Sequence, residues 1–136
     1  MAFNRLRRDK KRNIVIIDSS ALIMPFEISI DLNVELTRLL GKYQGLIPEP
    51  IIKELKYLLD HGKERQRNLA KAALKYAERY FKVEKMDTMK GDDAVFQLAV
   101  KFNATVITND KALKKRLKEA SIKTIYVRGK KRMELE

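Results

Sequence analysis

Two acidic sites lie within residues 91–110, which read GDDAVFQLAVKFNATVITND. Asp92 and Asp93 open a segment whose apolar residues recur at helical spacing, so these acids lie at a helix N-terminus, where the helix dipole favours carboxylates. Asn109 and Asp110 follow a short apolar, β-rich run, which predicts a strand that ends just before them. Ligands of parallel α/β sheets bind at the carboxyl ends of the strands. The stretch therefore predicts half of an acidic metal site.

A further acid is predicted at the same edge of the sheet. Residues 14–17 are four consecutive β-branched residues, which is typical of a central strand covered on both faces. Asp18 follows this run directly, although an aspartate in that position could instead cap the next helix. Because the carboxyl ends of parallel strands meet at one edge, we expect Asp18, Asp92 and Asp110 to converge there.

Converging carboxylates require cations. At ~4–5 Å and an effective dielectric constant of ~20, each like-charged pair costs on the order of 3–4 kcal/mol. The chain has one histidine and no cysteine, so the ligands are oxygens, which favour magnesium or manganese over zinc. We therefore predict a Mg²⁺ or Mn²⁺ site, with the choice between the two neighbouring aspartates of the helix left open. The candidate metal ligands are Asp18, Asp92, Asp93 and Asp110.

The overall charge predicts a polyanionic partner. Thirty Lys and Arg residues against eighteen Asp and Glu residues give a formal net charge of +12. Adaptation to heat raises Glu together with Lys, whereas this excess is one-sided, so nucleic acid is the favoured partner. A basic surface that holds a phosphate backbone, combined with an acidic metal site, predicts phosphodiester hydrolysis. The predicted nucleic-acid-binding residues are Lys111, Lys114, Lys115, Arg116, Lys118, Arg128, Lys130 and Lys131.

Several classes of protein are excluded by what the sequence lacks. No apolar run approaches the ~20 residues of a membrane span, and the basic N-terminus is not followed by a signal-peptide core, so we expect a cytoplasmic protein without membrane contact. The absence of cysteine excludes a disulfide framework and a thiolate zinc site. The single histidine argues against a Ser-His-Asp site, and no glycine-rich phosphate-binding motif is present.

Alternating strand and helix patterns predict the fold class. The order strand, helices, strand, helix, strand indicates an α/β fold with three layers (α/β/α) and a mostly parallel central sheet. We divide the chain into a basic N-terminal arm (1–12), one α/β domain (13–128) and a charged C-terminal tail (129–136). Within the domain we predict a loop around Pro25 and a helix that starts near Leu32. Four tyrosines are predicted to belong to the core: Tyr43, Tyr57, Tyr76 and Tyr80.

Four short motifs carry a resemblance to a known family. IVIIDSSALI, IIKEL, GDDAVFQLA and ITND, in this order, resemble the motifs of PIN-domain nucleases over roughly residues 13–128. In that family the acids close the first strand, lie on a helix after a proline-containing turn, open a later helix, and end a T-x-D pattern. The resemblance implies that the catalytic acids are Asp18, Glu54, Asp92 and Asp110.

Further site residues follow from the same resemblance. Asp93 could replace or assist Asp92. The supporting polar residues are predicted to be Ser20, Thr108 and Asn109. The family implies Mg²⁺- or Mn²⁺-dependent cleavage of single-stranded RNA, and its members are often dimers, so a homodimer is expected.

The family contains toxin ribonucleases of toxin–antitoxin pairs as well as rRNA-processing proteins. The basic helix after Asp110 and the long Lys- and Ala-rich helix at residues 64–81 favour the rRNA-processing branch, with pre-rRNA as substrate. A toxin-type ribonuclease is the alternative role. A non-catalytic RNA-binding assembly factor on the same fold is a second alternative, disfavoured by the intact set of acids. A receiver-like signalling domain is disfavoured because its acid pair would come early in the chain.

Overall fold

The computed structural model describes residues 13–128 and 132–135. The strands in these ranges are β1 (Asn13–Ile17), β2 (Tyr43–Pro48), β3 (Lys82–Glu84), β4 (Thr105–Ile107), β5 (Thr124–Arg128) and β6 (Arg132–Leu135). The helices are α1 (Ser19–Ile28), α2 (Leu32–Leu40), α3 (Glu49–His61), α4 (Glu64–Tyr80), α5 (Gly91–Phe102) and α6 (Lys111–Glu119). The basic arm predicted for residues 1–12 lies outside the described residues.

One six-stranded sheet, in the order β3-β2-β1-β4-β5-β6, organises the fold. Its neighbouring strands run parallel except for β5 and β6, which pair antiparallel. The predicted α/β class with a mostly parallel sheet is therefore confirmed. Strand β1 lies in the middle, and its residues Val15, Ile16 and Ile17 are fully buried, as expected for a strand covered on both faces.

The register of the two central strands positions the predicted acidic edge. Ile17 of β1 pairs with Ile107 of β4, so the next residues, Asp18 and Thr108, leave the sheet side by side. The Asp18 backbone N–H continues the ladder by donating to the Ile107 carbonyl at 3.2 Å. The predicted convergence of strand ends at one edge thus follows from parallel pairing alone.

Amphipathic helices cover the sheet with the stripes that the spacing predicts. Helices α2, α3 and α6 each bury two apolar residues that are four positions apart and therefore lie on one helix face. Burying each of these side chains contributes about 1.5–3 kcal/mol. In the described part of the chain, no helix has the length and apolar character needed to cross a membrane. The buried helical pairs are Leu32 and Leu36 in α2, Ile51 and Leu55 in α3, and Leu113 and Leu117 in α6.

The predicted loop around Pro25 is wrong. Pro25 lies inside helix α1 and is buried, in the last turn before Ser29 ends the helix in the left-handed conformation. A proline removes one helical hydrogen bond and normally disrupts a helix interior. Here the buried residues Ala21, Leu22 and Met24 anchor the helix against the core, and the proline is close enough to its end for packing to prevail.

The predicted C-terminal tail is also corrected. Arg132–Leu135 forms strand β6 at the edge of the sheet, and Met133 is fully buried. The Met133 backbone is held by two side chains of α2: Arg38 Nη2 donates to its carbonyl at 2.9 Å, and its N–H donates to Glu35 Oε1 at 3.2 Å. Met133 and Leu135 alternate with charged residues over only four positions, a pattern too short to predict a strand from the sequence. Lys130 and Lys131 lie outside the described residues.

The four tyrosines do not share one environment. Tyr43 and Tyr76 are partly buried and pack against the core, as predicted. Tyr57 is 64% exposed, so its assignment to the core is wrong, and Tyr80 is 39% exposed. Tyr57 lies on the outer side of α3, the helix that carries Glu54.

Candidate active site

Asp18 is buried at the end of β1, with 6% of its surface exposed. Two hydroxyl groups donate to its Oδ2 atom: Ser20 Oγ at 2.9 Å and Thr108 Oγ1 at 2.7 Å. Asp18 occupies the N-cap position of α1, but its side chain makes no capping hydrogen bond among the described residues. The helix-capping explanation for this carboxylate is therefore wrong, and its orientation is set by the two hydroxyls.

Thr108 ties the two strand ends together. Its side chain is fully buried and accepts a hydrogen bond from the Asp110 backbone N–H at 3.0 Å while it donates to Asp18. The Asn109 N–H donates to Ser20 Oγ at 3.1 Å, which closes a small network. Buried polar groups of this kind fix one geometry because each partner is satisfied by the others. The structure thus brings the predicted supporting residues Ser20, Thr108 and Asn109 around Asp18.

Asn109 also connects the site to its surroundings. Its Oδ1 atom accepts from the Val127 backbone N–H at 3.1 Å, and its Nδ2 atom contacts the Met24 sulfur. These contacts link the turn after β4 to strand β5 and to helix α1. Asn109 therefore holds the turn in place and does not project toward the acids.

Glu54 faces the same edge from helix α3. Desolvation is the main cause that raises the pKa of Glu54, and the charges of Asp18 and Asp92 raise it further. Hydrogen bonds from the Gly91 backbone N–H, at 3.1 Å, and from Ser19 oppose this shift. The hydrogen bond to Gly91 places Glu54, assigned only through the family resemblance, beside the start of α5, the helix that carries Asp92.

The structure separates the two neighbouring aspartates at the start of α5. Asp93 pairs with Arg116 of helix α6, at 2.7 Å between Oδ1 and Nη1, and its negative charge is thereby compensated. Asp92 is exposed, raises the pKa of Glu54, and accepts the Asp93 N–H at 3.0 Å. Because Arg116 compensates the charge of Asp93, we expect Asp92 to be the site residue of this pair.

Asp110 has a local structural role. Its Oδ1 atom accepts the Leu113 backbone N–H at 3.0 Å, which caps helix α6. The carboxylate is exposed and lies two residues after Thr108, at the same edge of the sheet as Asp18. The N-capping role considered for Asp18 thus belongs to Asp110.

The predicted cluster of four aspartates is only partly assembled. Across residues 13–128 and 132–135, no three acidic or imidazole side chains are close enough to form a ready metal cluster. The reason is local, since Asp93 is drawn to Arg116 and Asp110 caps α6. The remaining acids supply only oxygen ligands, and the charges of Asp18 and Asp92 add to the desolvation that raises the pKa of Glu54. A hard divalent cation fits this donor set and this charge.

The basic helix α6 exposes four of its five cations, and two of the five contact aromatic rings. Lys114 Nζ lies 3.5 Å from the centre of the Tyr126 ring. Arg116, besides its pairing with Asp93, stacks 4.3 Å from the centre of the Phe96 ring. Both predicted RNA contacts are therefore engaged within the protein, and the Arg128 side chain lies outside the described part. The exposed cations of this helix are Lys111, Lys115, Arg116 and Lys118.

Two site residues were missed by sequence reasoning. Ser19 supplies a hydrogen bond to Glu54, and Gly91 supplies its backbone N–H. A Cβ atom on Gly91 would collide with Glu54 Oε1 and would lie 2.7 Å from Ile51 Cδ1. The signal was the glycine directly before the two aspartates, because close approach of a side chain to a backbone often requires glycine.

We expect Glu54→Gln to stabilise the metal-free protein at neutral pH. Because the folded pKa of Glu54 is raised, folding stability falls as the pH rises through its ordinary pKa of 4.5 toward the folded value. Gln keeps the acceptor for Gly91 and removes the charge. The gain should be no more than about 1 kcal/mol, since solvent screens this exposed side chain. Thermal unfolding in EDTA at several pH values measures it.

The pH dependence identifies the cause of this gain. The difference between wild type and Glu54→Gln should vanish below pH 4.5, where the glutamate is protonated in both states. Glu78→Gln, a charge-matched change at an exposed position of α4, should show no such profile. Equal unfolding temperatures for wild type and Glu54→Gln at pH 7 would contradict a raised pKa of Glu54 in the folded protein.

The fold and the site together define a class: an α/β domain with a carboxylate site at the carboxyl edge of a parallel sheet. A family model described as a PIN like domain matches residues 15–130. The chain belongs to this family. The family predicted from the four sequence motifs is thereby confirmed.

Several known proteins are similar along most of their length. Ribonuclease VapC4 of Methanocaldococcus jannaschii is 34% identical over 128 residues, which cover 89% of this chain and 95% of that protein. Ribonuclease VapC9 of Archaeoglobus fulgidus is 29% identical over 129 residues, which cover 95% of this chain and 93% of that protein. The solved structure of the PIN domain endonuclease Utp24 covers 90% of each chain at 25% identity and a TM-score of 0.76.

A more distant solved structure shows the fold alone. It is a domain of a functionally unknown protein from Methanocaldococcus jannaschii, with a TM-score of 0.62 at 19% identity, covering 86% of this chain and 92% of that one. These similarities support the architecture described above. The expected preference for the rRNA-processing branch and the expected homodimer stay predictions.

Proposed function

We propose that this protein is a metal-dependent endoribonuclease that hydrolyses phosphodiester bonds of single-stranded RNA. The observation that carries the proposal is Asp18, buried at the carboxyl edge of the sheet and held there by the hydroxyls of Ser20 and Thr108, in a chain of net charge +12. A basic protein attracts the phosphate backbone, whereas an acidic pocket in it repels that backbone unless a cation is bound. The similarity to two ribonucleases and one endonuclease supports the same reaction.

Asp18 and Asp92 are the groups that would hold Mg²⁺ or Mn²⁺, with Asp110 as a further candidate ligand at the same edge. A divalent cation at such a site activates water and stabilises the leaving oxygen during phosphodiester hydrolysis. The two hydroxyls of Ser20 and Thr108 both donate to Asp18 Oδ2, so Oδ1 is the oxygen that we assign to the metal. Asp93 is left out of the ligand set because Arg116 compensates it.

Glu54 is assigned a role in proton transfer. A carboxylate accepts a proton from water more effectively when its pKa lies closer to the working pH. Desolvation and the charges of Asp18 and Asp92 raise the pKa of Glu54 in that direction. The Gly91 N–H, at 3.1 Å, and the Ser19 side chain hold the carboxylate in one orientation.

The reaction is tested with a labelled single-stranded RNA of mixed sequence, incubated with Mg²⁺, with Mn²⁺ or with EDTA. We expect internal cuts with either metal and none with EDTA. A duplex of the same sequence and the equivalent single-stranded DNA serve as substrate controls. RNA binding without cleavage under all conditions would overturn the proposal in favour of the non-catalytic assembly factor.

We expect Lys111→Ala/Lys115→Ala to weaken RNA binding in a salt-dependent manner. Each exposed lysine that contacts a phosphate releases a counterion, so the slope of log affinity against log salt should decrease by about 0.7 per lysine for single-stranded RNA. Binding titrations in EDTA at several salt concentrations measure this slope. Lys71→Ala/Lys75→Ala, the same charge change on exposed positions of α4, should leave the slope nearly unchanged. Equal slopes for both double variants would exclude α6 as the RNA-binding face.

Two cellular roles are compatible with this activity, pre-rRNA processing and the toxin-type role. Similarity over nine tenths or more of each matched protein is found both for the VapC ribonucleases and for the endonuclease Utp24. Induced expression in a bacterial host separates the roles. Growth arrest that is absent for Asp18→Asn would favour the toxin-type role, whereas cleavage restricted to precursor rRNA in a cell extract would favour processing.

A further inference from the structure

A groove adjoins the acidic edge on the outer side of helix α3. Its volume is about 480 Å³, and Glu54 forms one of its walls. The groove spans α3, which presents Glu54, and residues 88–89, which directly precede the helix α5 that carries Asp92. It is therefore continuous with the acidic site. The remaining lining residues are Pro50, Lys53, Tyr57, Leu58, Thr88 and Met89.

Tyr57 is the most informative of these residues. Its surface is 64% exposed, although a tyrosine at this helical spacing was expected in the core. The ring is not freely mobile, because it packs against His61 with 4.6 Å between ring centroids. Tyr57 follows Glu54 by three residues, so both side chains lie on one face of α3. Proteins that bind single-stranded nucleic acid use exposed, preordered aromatic rings of this kind as stacking platforms.

The other walls suit a flat, neutral ring. Pro50, Leu58 and Met89 supply apolar surface, and the Thr88 hydroxyl supplies one polar group for the edge of a base. The volume lies within the ~300–1,000 Å³ of typical small-ligand sites. Glu54 disfavours a phosphate inside the groove, whereas exposed Lys53 attracts a phosphate at its rim. The chemistry thus matches a nucleoside whose base lies inside and whose backbone remains outside.

We propose that this groove binds one unpaired base of the RNA, beside the phosphate that is cleaved, by stacking on Tyr57. The inference rests on the proposed ribonuclease function and adds to it a physical basis for single-strand preference. A base that is paired and stacked in a duplex must first be extruded before it can enter such a pocket, whereas a base in a single strand enters freely.

Binding is tested on the full chain in EDTA, with single-stranded RNAs that carry the fluorescent base 2-aminopurine or an abasic site at one position. Wild type should quench 2-aminopurine at one position and bind the RNA that is abasic there about 5- to 100-fold more weakly. Tyr57→Ala should lose the quenching and bind intact RNA more weakly by a similar factor. Tyr57→Phe keeps the ring and should behave like wild type.

Combining the abasic RNA with Tyr57→Ala distinguishes stacking of the base on the Tyr57 ring from a general loss of RNA affinity. Removing the base should add little once Tyr57 has been replaced by Ala, because both changes delete one interaction. Val34→Ala, another exposed apolar position, should bind like wild type. Circular dichroism confirms that Tyr57→Ala folds, as expected for an exposed side chain. The groove assignment would be overturned if the losses of binding free energy from base removal and from Tyr57→Ala were additive. It would also be overturned if Tyr57→Ala bound RNA as tightly as wild type.

Cleavage measured in parallel distinguishes this inference from the function on which it rests. Metal-dependent cuts by both wild type and Tyr57→Ala, with equal substrate affinity, would overturn the groove and leave the ribonuclease assignment intact. Tyr57-dependent quenching without cleavage by wild type would overturn the nuclease and support the groove as a base-binding site. If wild type neither binds RNA in EDTA nor cleaves it with Mg²⁺ or Mn²⁺, both proposals are overturned.

Discussion

Asp18→Asn is expected to lower metal-dependent RNA cleavage by about 10³-fold, the upper range for loss of one preorganised charged or polar group in an active site. Asparagine has the same shape and keeps an acceptor for the hydroxyls of Ser20 and Thr108, so the fold should persist. What disappears is the negative charge at the end of β1. Initial rates of cleavage of a labelled single-stranded RNA, with Mg²⁺ and with Mn²⁺, measure the loss.

Metal binding gives a second readout for the same change. Titration with Mn²⁺ should raise the unfolding temperature of wild type, because a ligand that binds only the folded state stabilises it by mass action. The response should be much smaller for Asp18→Asn. Asp60→Asn, an equal charge change on an exposed position of α3, should retain both cleavage and the Mn²⁺ response. Full cleavage by Asp18→Asn would remove Asp18 from the site.

The positions of Asp18 and Asp110 could be predicted because they depend on local pattern and sheet geometry alone. Residues 14–17 and 104–108 are apolar and β-rich, and parallel pairing brings their carboxyl ends to one edge. The helical stripes of α2, α3 and α6 follow from spacing in the same way. Each of these features is written in a short stretch of sequence, without reference to distant residues.

The features that sequence reasoning missed depend on contacts between distant segments. The choice between Asp92 and Asp93 is made by Arg116, more than twenty residues later on another helix. Residues 132–135 become a strand because α2 presents Arg38 and Glu35 to the Met133 backbone. Pro25 stays helical because the buried residues of α1 pack against the core. Local propensity is overridden in each case by tertiary contacts, which no single stretch encodes.

Glu54 shows how local sequence pattern and contacts between distant segments combine. Its position on α3 follows from local pattern, and its function was assigned through the family resemblance alone. The structure adds the contact that explains its position: the Gly91 N–H at 3.1 Å, at the start of the helix that also carries Asp92. Glu54 and Asp92 are therefore positioned as a unit, because one glycine joins α3 to the N-terminus of α5.

Gly91→Ala is expected to lower cleavage by about 10²-fold, the loss that a displacement of about 1 Å can cause in an active site. The added Cβ would occupy the position of Glu54 Oε1, and the flexible glutamate is the group that yields. Overpacking against Ile51 Cδ1, at 2.7 Å, costs about 1–3 kcal/mol, and the better helix propensity of alanine offsets up to about 1 kcal/mol. Cleavage rates and thermal unfolding of the same preparation measure both effects.

A double-mutant cycle with Glu54→Ala identifies the cause of this loss. Without the glutamate side chain, the alanine at position 91 meets only Ile51, so Gly91→Ala should change cleavage little further in that background. The destabilisation by Gly91→Ala should also be smaller there, because the collision with Oε1 is absent. Independent, multiplicative effects on cleavage would mean that Gly91 acts through the backbone of α5 and Asp92. Strong coupling would mean that the glycine is required because the Glu54 carboxylate occupies the space of a side chain.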